Sequence, residues 1–229
     1  MVSTTTSPSV LPSWAWTTRR IVGVARLVLG VFVFVAIAYQ IQDRLANNVF
    51  RPGEYFAFFT IQTCMMFVVV LIASGVFALR QQVDTRLLTI VRMCAVAFTI
   101  VTGIVYNVML RDLVPTGPDA GYVWPVWPNE LLHVWLPILL VLDWFLTPGR
   151  HTLRLRAMWW VLVYPLAWIA FTLVRGLATN WWPYPFLDPS GSLGWAGVVA
   201  YIVGIAAFLA LCAFIEVLVA VLWARRRRA

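Results

Sequence analysis

Apolar residues along this chain gather into six runs, at about 21–40, 55–79, 87–110, 130–146, 158–177 and 193–224, separated by short polar stretches such as QDRLANNVFRPGE. Runs of this length match the roughly 20 apolar residues that a helix needs to cross a hydrocarbon core about 30 Å thick. The pattern therefore predicts an all-α polytopic membrane protein, a bundle of six transmembrane helices. The sixth run is longer than a bilayer requires, so its helix tilts or its first turns lie in the interface. Three regions follow: a Ser/Thr/Pro-rich disordered or interfacial N-terminus at 1–20, a transmembrane domain at 21–224, and a basic tail at 225–229. A twin arginine before the first run and the triplet Ala36-Ile37-Ala38 inside it also fit a cleaved signal. The length of the run and the basic residues on both sides favour a retained helix.

Composition agrees, with 62% hydrophobic and 11% charged residues in 229, which excludes a soluble domain built on one core. A net charge of +8 raises the question of a nucleic-acid partner. All seventeen basic residues are arginines, however, and they lie between the apolar runs or near their ends, where membrane topology is encoded, so no nucleic acid is implied. With the N-terminus inside, the inner segments hold eleven arginines (19, 20, 80, 86, 150, 154, 156 and 225–228) and the outer ones four (44, 51, 111 and 175). That asymmetry predicts cytoplasmic termini. Cys64, Cys94 and Cys212 lie singly in apolar runs, which indicates neither a disulfide framework nor a metal site. The absence of lysine excludes a Schiff base and a Ser-Lys dyad.

Against this background His133, inside the run NELLHVWLPILLVLDW, stands out, because an ionisable group in a bilayer is costly and normally faces the bundle interior or water. In the predicted topology His133 lies roughly 6 Å below the outer surface and Thr60 roughly 7 Å, at 1.5 Å rise per residue. A hydroxyl with an imidazole is the minimum set for nucleophilic acyl transfer, with Thr60 as nucleophile and His133 as base. Thr63, Asn107, Asn129, Glu130, Trp182 and Tyr184 surround this level as candidate substrate-binding or supporting residues, and Asn129 or Glu130 is placed to orient the imidazole. The structural alternative is that these threonines bond back to main-chain carbonyls, with Thr63 the competing hydroxyl. A second polar set, Arg26, Arg92, Asp143 and Glu216, lies toward the inner face. Pairing among them, with Glu216 the first partner for Arg92, predicts a structural clasp; a proton or ion pathway is the alternative.

Phe58-Phe59-Thr60, Glu130-Leu131-Leu132-His133 with Leu136-Pro137 and Asp143, Tyr184-Pro185-Phe186-Leu187, and Ile215-Glu216-Val217-Leu218 occur in that order over most of the chain after the first run. Together they resemble motifs of the androgen-induced membrane hydrolases and their bacterial relatives. The resemblance implies a threonine hydrolase in a bacterial cell membrane that cleaves fatty acid esters of hydroxy fatty acids, a lipid substrate drawn from the bilayer. It implies Thr60 and His133 as the catalytic pair, and no cofactor or metal. Ile61-Gln62-Thr63 and the WPVWPNE approach to His133 depart from the animal proteins, which bears on substrate identity. Two readings from other classes stand beside it: a non-catalytic protein that binds or transports a lipid or small molecule, and a structural membrane protein.

Overall fold

The computed structural model describes residues 11–115 and 117–226; the first ten residues, the side chains of the arginine tail and residues 227–229 lie outside that description. It is 79% helical, without strands among the described residues, and six helices are long and apolar enough to span a membrane. The protein is thus an all-α integral membrane protein. The spanning helices are α1 (Ser13–Ala46), α2 (Phe59–Arg80), α3 (Arg86–Leu110), α4 (Val126–Leu146), α5 (Leu155–Thr179) and α6 (Gly194–Arg226). Short turns at Pro52–Tyr55, Gly117–Asp119 and Pro185–Leu187 stand in the connections at one end of the bundle. Helix α1 packs along α2 through a stripe of Ala15, Arg19, Gly23, Arg26, Gly30, Val33, Ile37 and Gln40, recurring every three or four residues. Small residues let the two backbones approach: a Cβ added at Gly75 would stand 2.8 Å from the Gly23 carbonyl oxygen.

Several boundaries differ from the hydropathy reading, including the end of α1 at Ala46 and the start of α5 at Leu155, and three helix starts have local causes. Helix α1 begins at Ser13, so Trp14, Trp16 and Arg19 are helical rather than part of a disordered start. Arg19 is fully buried, donating to the carbonyls of Gln81 at 2.7 Å and Pro148 at 3.0 Å and to Asp84, and this anchors the first turns. Helix α2 begins at Phe59, four residues later than the apolar run. Gln62 Nε2 donates to the Phe56 carbonyl at 2.8 Å and Trp168 Nε1 to that of Ala57 at 3.0 Å, holding an extended Phe58 ahead of the helix. Helix α4 begins earlier, at Val126, and admits Pro128 because a residue in a first turn needs no intrahelical N–H partner.

The contacts of Arg19 bring the start of α1, the α2–α3 connection and the α4–α5 connection to one end, called here the arginine-rich face. Just inside it the expected clasp is present with altered membership. Arg26 Nε and Nη2 donate to the two Asp143 oxygens at 2.9 and 3.1 Å, and Arg92 Nη2 donates to Asp143 Oδ2 at 2.8 Å. Thr147 adds a hydroxyl donor to Asp143 Oδ1 at 2.9 Å. Asp84 joins the cluster by bridging Arg19 and Arg92, each at 2.5 Å. The expected Arg92–Glu216 pair does not form: Arg92 is held by Asp84 and Asp143, and neither carboxylate oxygen of buried Glu216 has a hydrogen-bond partner. Beside the cluster Arg150 lies over the Trp144 ring at 4.7 Å. Burial, then repulsion by Arg92, lowers its guanidinium to about 10.

Candidate functional site

At the opposite face, the ends of α1 to α4 remote from the arginine-rich face and the 181–187 connection line a cavity of ≈ 450 Å³. Thr60, Asn129, His133, Trp182 and Tyr184 all line it, so five of the eight residues singled out from the sequence face one space. Asn107, Glu130 and Thr63 do not line it. The Thr63 hydroxyl donates to the main-chain carbonyls of Phe59 at 2.9 Å and Thr60 at 3.1 Å and is fully buried. It is the helix-bonded threonine that membrane helices commonly carry, whereas Thr60, one turn earlier, opens to the cavity.

His133 is oriented by local backbone geometry. Residues Leu131–Trp135 form a π-helical turn in α4, and Tyr106–Leu110 form another at the C-terminal end of α3. Single π-helical turns inside α-helices often occur at functional sites. Tyr106 stacks on the His133 ring with centroids 3.9 Å apart and planes inclined by 19°. His133 Nδ1 lies 2.9 Å from the main-chain carbonyl oxygen of Asn129. A carbonyl only accepts, so this contact requires the proton on Nδ1 and leaves the neutral ring's lone pair on Nε2. The orienting group is therefore the backbone of Asn129, not its side chain and not Glu130. Glu130 instead accepts from Arg111 Nη1 at 2.6 Å, and Arg111 also donates to Asn107 Oδ1. Asn107 Nδ2 donates to Gly103 O at 2.7 Å and His133 O at 3.3 Å, tying the two π-turns together. Gly103 allows that approach, since a Cβ there would lie 3.1 Å from the His133 carbonyl oxygen.

On the far wall, the Thr60 backbone N–H donates to the Tyr184 hydroxyl at 3.5 Å. Phe186 stacks on Tyr184 with ring centroids 5.2 Å apart, and Phe58 meets its edge at 5.6 Å. Burial raises the Tyr184 phenol above its ordinary value, so it stays protonated and keeps a hydrogen to donate. Behind Thr60 lies a second, apolar pocket of ≈ 90 Å³, lined by Val101, Val105, Leu162, Ile202 and Ile205 as well as Thr60 and Tyr184. Thr60 thus borders both spaces. No hydrogen bond joins Thr60 to His133; they face the same cavity from different helices.

The polar roof of the cavity was not singled out by the sequence. Gln40 Nε2 donates to Asn129 Oδ1 at 3.1 Å, and Tyr55 donates to Gln40 Oε1 at 3.0 Å. Asp119 accepts from Arg51 at 2.5 Å and pairs with Arg44 at 3.7 Å, while Tyr122 donates to Asp43. Of these, only Gln40 carried a usable signal, as the polar member of the buried α1 stripe. The others belong to connections, where polar residues are ordinary. Compared with known proteins, the chain matches no family model, no curated protein and no solved structure.

Proposed function

We propose that this protein is a lipid-ester hydrolase of the membrane and a relative of the androgen-induced membrane hydrolases, with its termini on the cytoplasmic side and its site toward the outer leaflet. The observation that carries this reading is the opening of Thr60 and of a His133 with an uncommitted Nε2 into one cavity beside an apolar pocket. In the reaction, Thr60 Oγ attacks the ester carbonyl carbon as its proton passes to His133 Nε2. The Tyr184 hydroxyl is the donor available to the developing oxyanion. Collapse of the tetrahedral intermediate expels the alkoxide, which takes the proton from Nε2–H. Water, deprotonated by the same nitrogen, then releases the carboxylic acid and restores the Thr60 hydroxyl. The apolar pocket suits an acyl chain, and the polar roof suits the hydroxylated or charged end of the substrate. The proton transfer requires Thr60 Oγ and His133 Nε2 to come within hydrogen-bond reach, directly or through one water, when the ester is bound, as catalytic contacts that are long in the free enzyme tighten in the complex.

The test is turnover of a long-chain ester in micelles, together with a fluorophosphonate probe. Thr60→Ala and His133→Ala are each expected to abolish turnover, singly as completely as together, because the two act as one unit. Wild type and Thr60→Ser are expected to take the probe, and Thr60→Ala is not. Activity is expected to fall on acidification, since a protonated Nε2 has no lone pair to accept the hydroxyl proton. The lack of a Thr60–His133 hydrogen bond is the one feature that favours the alternative, a non-catalytic protein binding or transporting a lipid or small molecule. Absence of ester cleavage together with retained binding of a fatty ester would favour that alternative.

A further inference from the structure

A separate groove of ≈ 620 Å³ opens on the lipid-facing side of the bundle between α2, α3 and α5. Met66, Val70, Ile90, Val91, Trp160 and Val163 line it, and Arg86 is the only charged side chain among its described lining residues. Arg86 is exposed and makes no ion pair with any described acidic side chain. Asp84, the nearest acid in sequence, is already committed to Arg19 and Arg92. From Arg86 at the arginine-rich face to Phe98 the groove follows α3 for roughly 18 Å at 1.5 Å per residue, a little over half of a hydrocarbon core about 30 Å thick. At its deep end Phe98 and Tyr164 contact Phe59, with ring centroids 5.8 and 5.6 Å from it. Phe59 lines the apolar pocket beside Thr60, so these three rings stand between the groove and the site above.

We infer that this groove binds one anionic phospholipid, with the phosphate on Arg86 and one acyl chain laid along α3. An apolar channel one leaflet deep, open sideways within a membrane and headed by an unpaired cation, matches an acyl chain below an anionic headgroup in length, polarity and charge. A zwitterionic lipid offers the same phosphate but carries its own cation beside it, so it compensates the guanidinium less fully than a lipid with net negative charge. The inference rests on Arg86 and the channel and does not depend on the proposed hydrolysis.

Native mass spectrometry of the full chain, released from micelles containing equal phosphatidylglycerol and phosphatidylcholine, tests it. Wild type is expected to retain one phosphatidylglycerol in preference to phosphatidylcholine. Arg86→Gln is expected to reduce that preference on the order of fivefold, the effect of one arginine near an anionic surface. Arg156→Gln, an exposed arginine of the same face outside the groove, should leave it unchanged. Val91→Trp, which fills the channel while keeping Arg86, is expected to lose retained lipid of both kinds. Equal retention of the two lipids by wild type, an equal loss from Arg86→Gln and Arg156→Gln, or a lipid-free dimer closed over the groove would each overturn the assignment.

Discussion

Asp143 receives four hydrogen bonds, two from Arg26, one from Arg92 and one from Thr147, and three of them come from guanidinium groups. Asp143→Ala therefore leaves three buried arginines, Arg19, Arg26 and Arg92, with Asp84 as the carboxylate bonded to Arg19 and Arg92 and with none bonded to Arg26. Three charge-assisted bonds at about 1.5–3 kcal/mol each set an upper limit. The arginines keep other partners, Ser74 O for Arg26 at 3.3 Å and Asp84 for Arg92 at 2.5 Å, which lowers the loss. Removing one partner of a buried pair costs about 3–5 kcal/mol in measured cases, and that is the loss expected here. At about 2–4 °C per kcal/mol for a domain of this size, it corresponds to a drop in melting temperature of about 6–20 °C. The assay is thermal unfolding in detergent, followed by circular dichroism. Asp143→Leu combined with Arg26→Met removes one acid and one base together, so its loss should be smaller than the sum of the two single losses. If Asp143→Ala melts with wild type, or if the double variant is worse than additive, the cluster is not a clasp and the ion-pathway reading gains.

Thr63→Ala should keep full ester turnover, because its hydroxyl is spent on the Phe59 and Thr60 carbonyls; loss of turnover in Thr63→Ala with retention in Thr60→Ala would transfer the nucleophile. Glu130→Gln breaks only the half-exposed pair with Arg111. Its melting temperature and its turnover at alkaline pH, where His133 is neutral in both proteins, should match wild type, since the Asn129 carbonyl holds the imidazole; loss of that alkaline turnover would return the orienting role to Glu130.

Helix number and type were legible in the sequence because a bilayer admits few ways to satisfy a backbone, so apolar run length alone nearly determines the fold. The level shared by Thr60 and His133 followed from the same counting and brought both to one cavity, even though α2 begins four residues later than the run suggested. What was not legible depends on which side-chain atoms meet. Arg19 read as a loop arginine because its burial depends on carbonyls of Gln81 and Pro148, 62 and 129 residues away. Asp84, which bridges Arg19 and Arg92, was not singled out for the same reason. The π-turns at Tyr106–Leu110 and Leu131–Trp135 were not legible either, because the apolar runs of α3 and α4 pass through them without a break.

Saturation separates the polar groups of this bundle better than depth or residue type. Within the buried cluster of the arginine-rich face, Asp143 is surrounded by four donors and Arg19 has three partners, so those two side chains have little capacity left for a ligand. At the opposite face, Thr63 is saturated by its own helix while Thr60, three residues away, borders a cavity beside the Tyr184 hydroxyl. His133 spends one ring nitrogen on the Asn129 carbonyl and presents the other. In a solvent that supplies no hydrogen bonds, an uncommitted polar atom is costly unless water or substrate reaches it, so the atoms left uncommitted beside a cavity are the ones to assign to chemistry. On that basis Thr60 and His133 are proposed as the reacting pair, and the charged cluster near the arginine-rich face is proposed to hold the bundle that carries them.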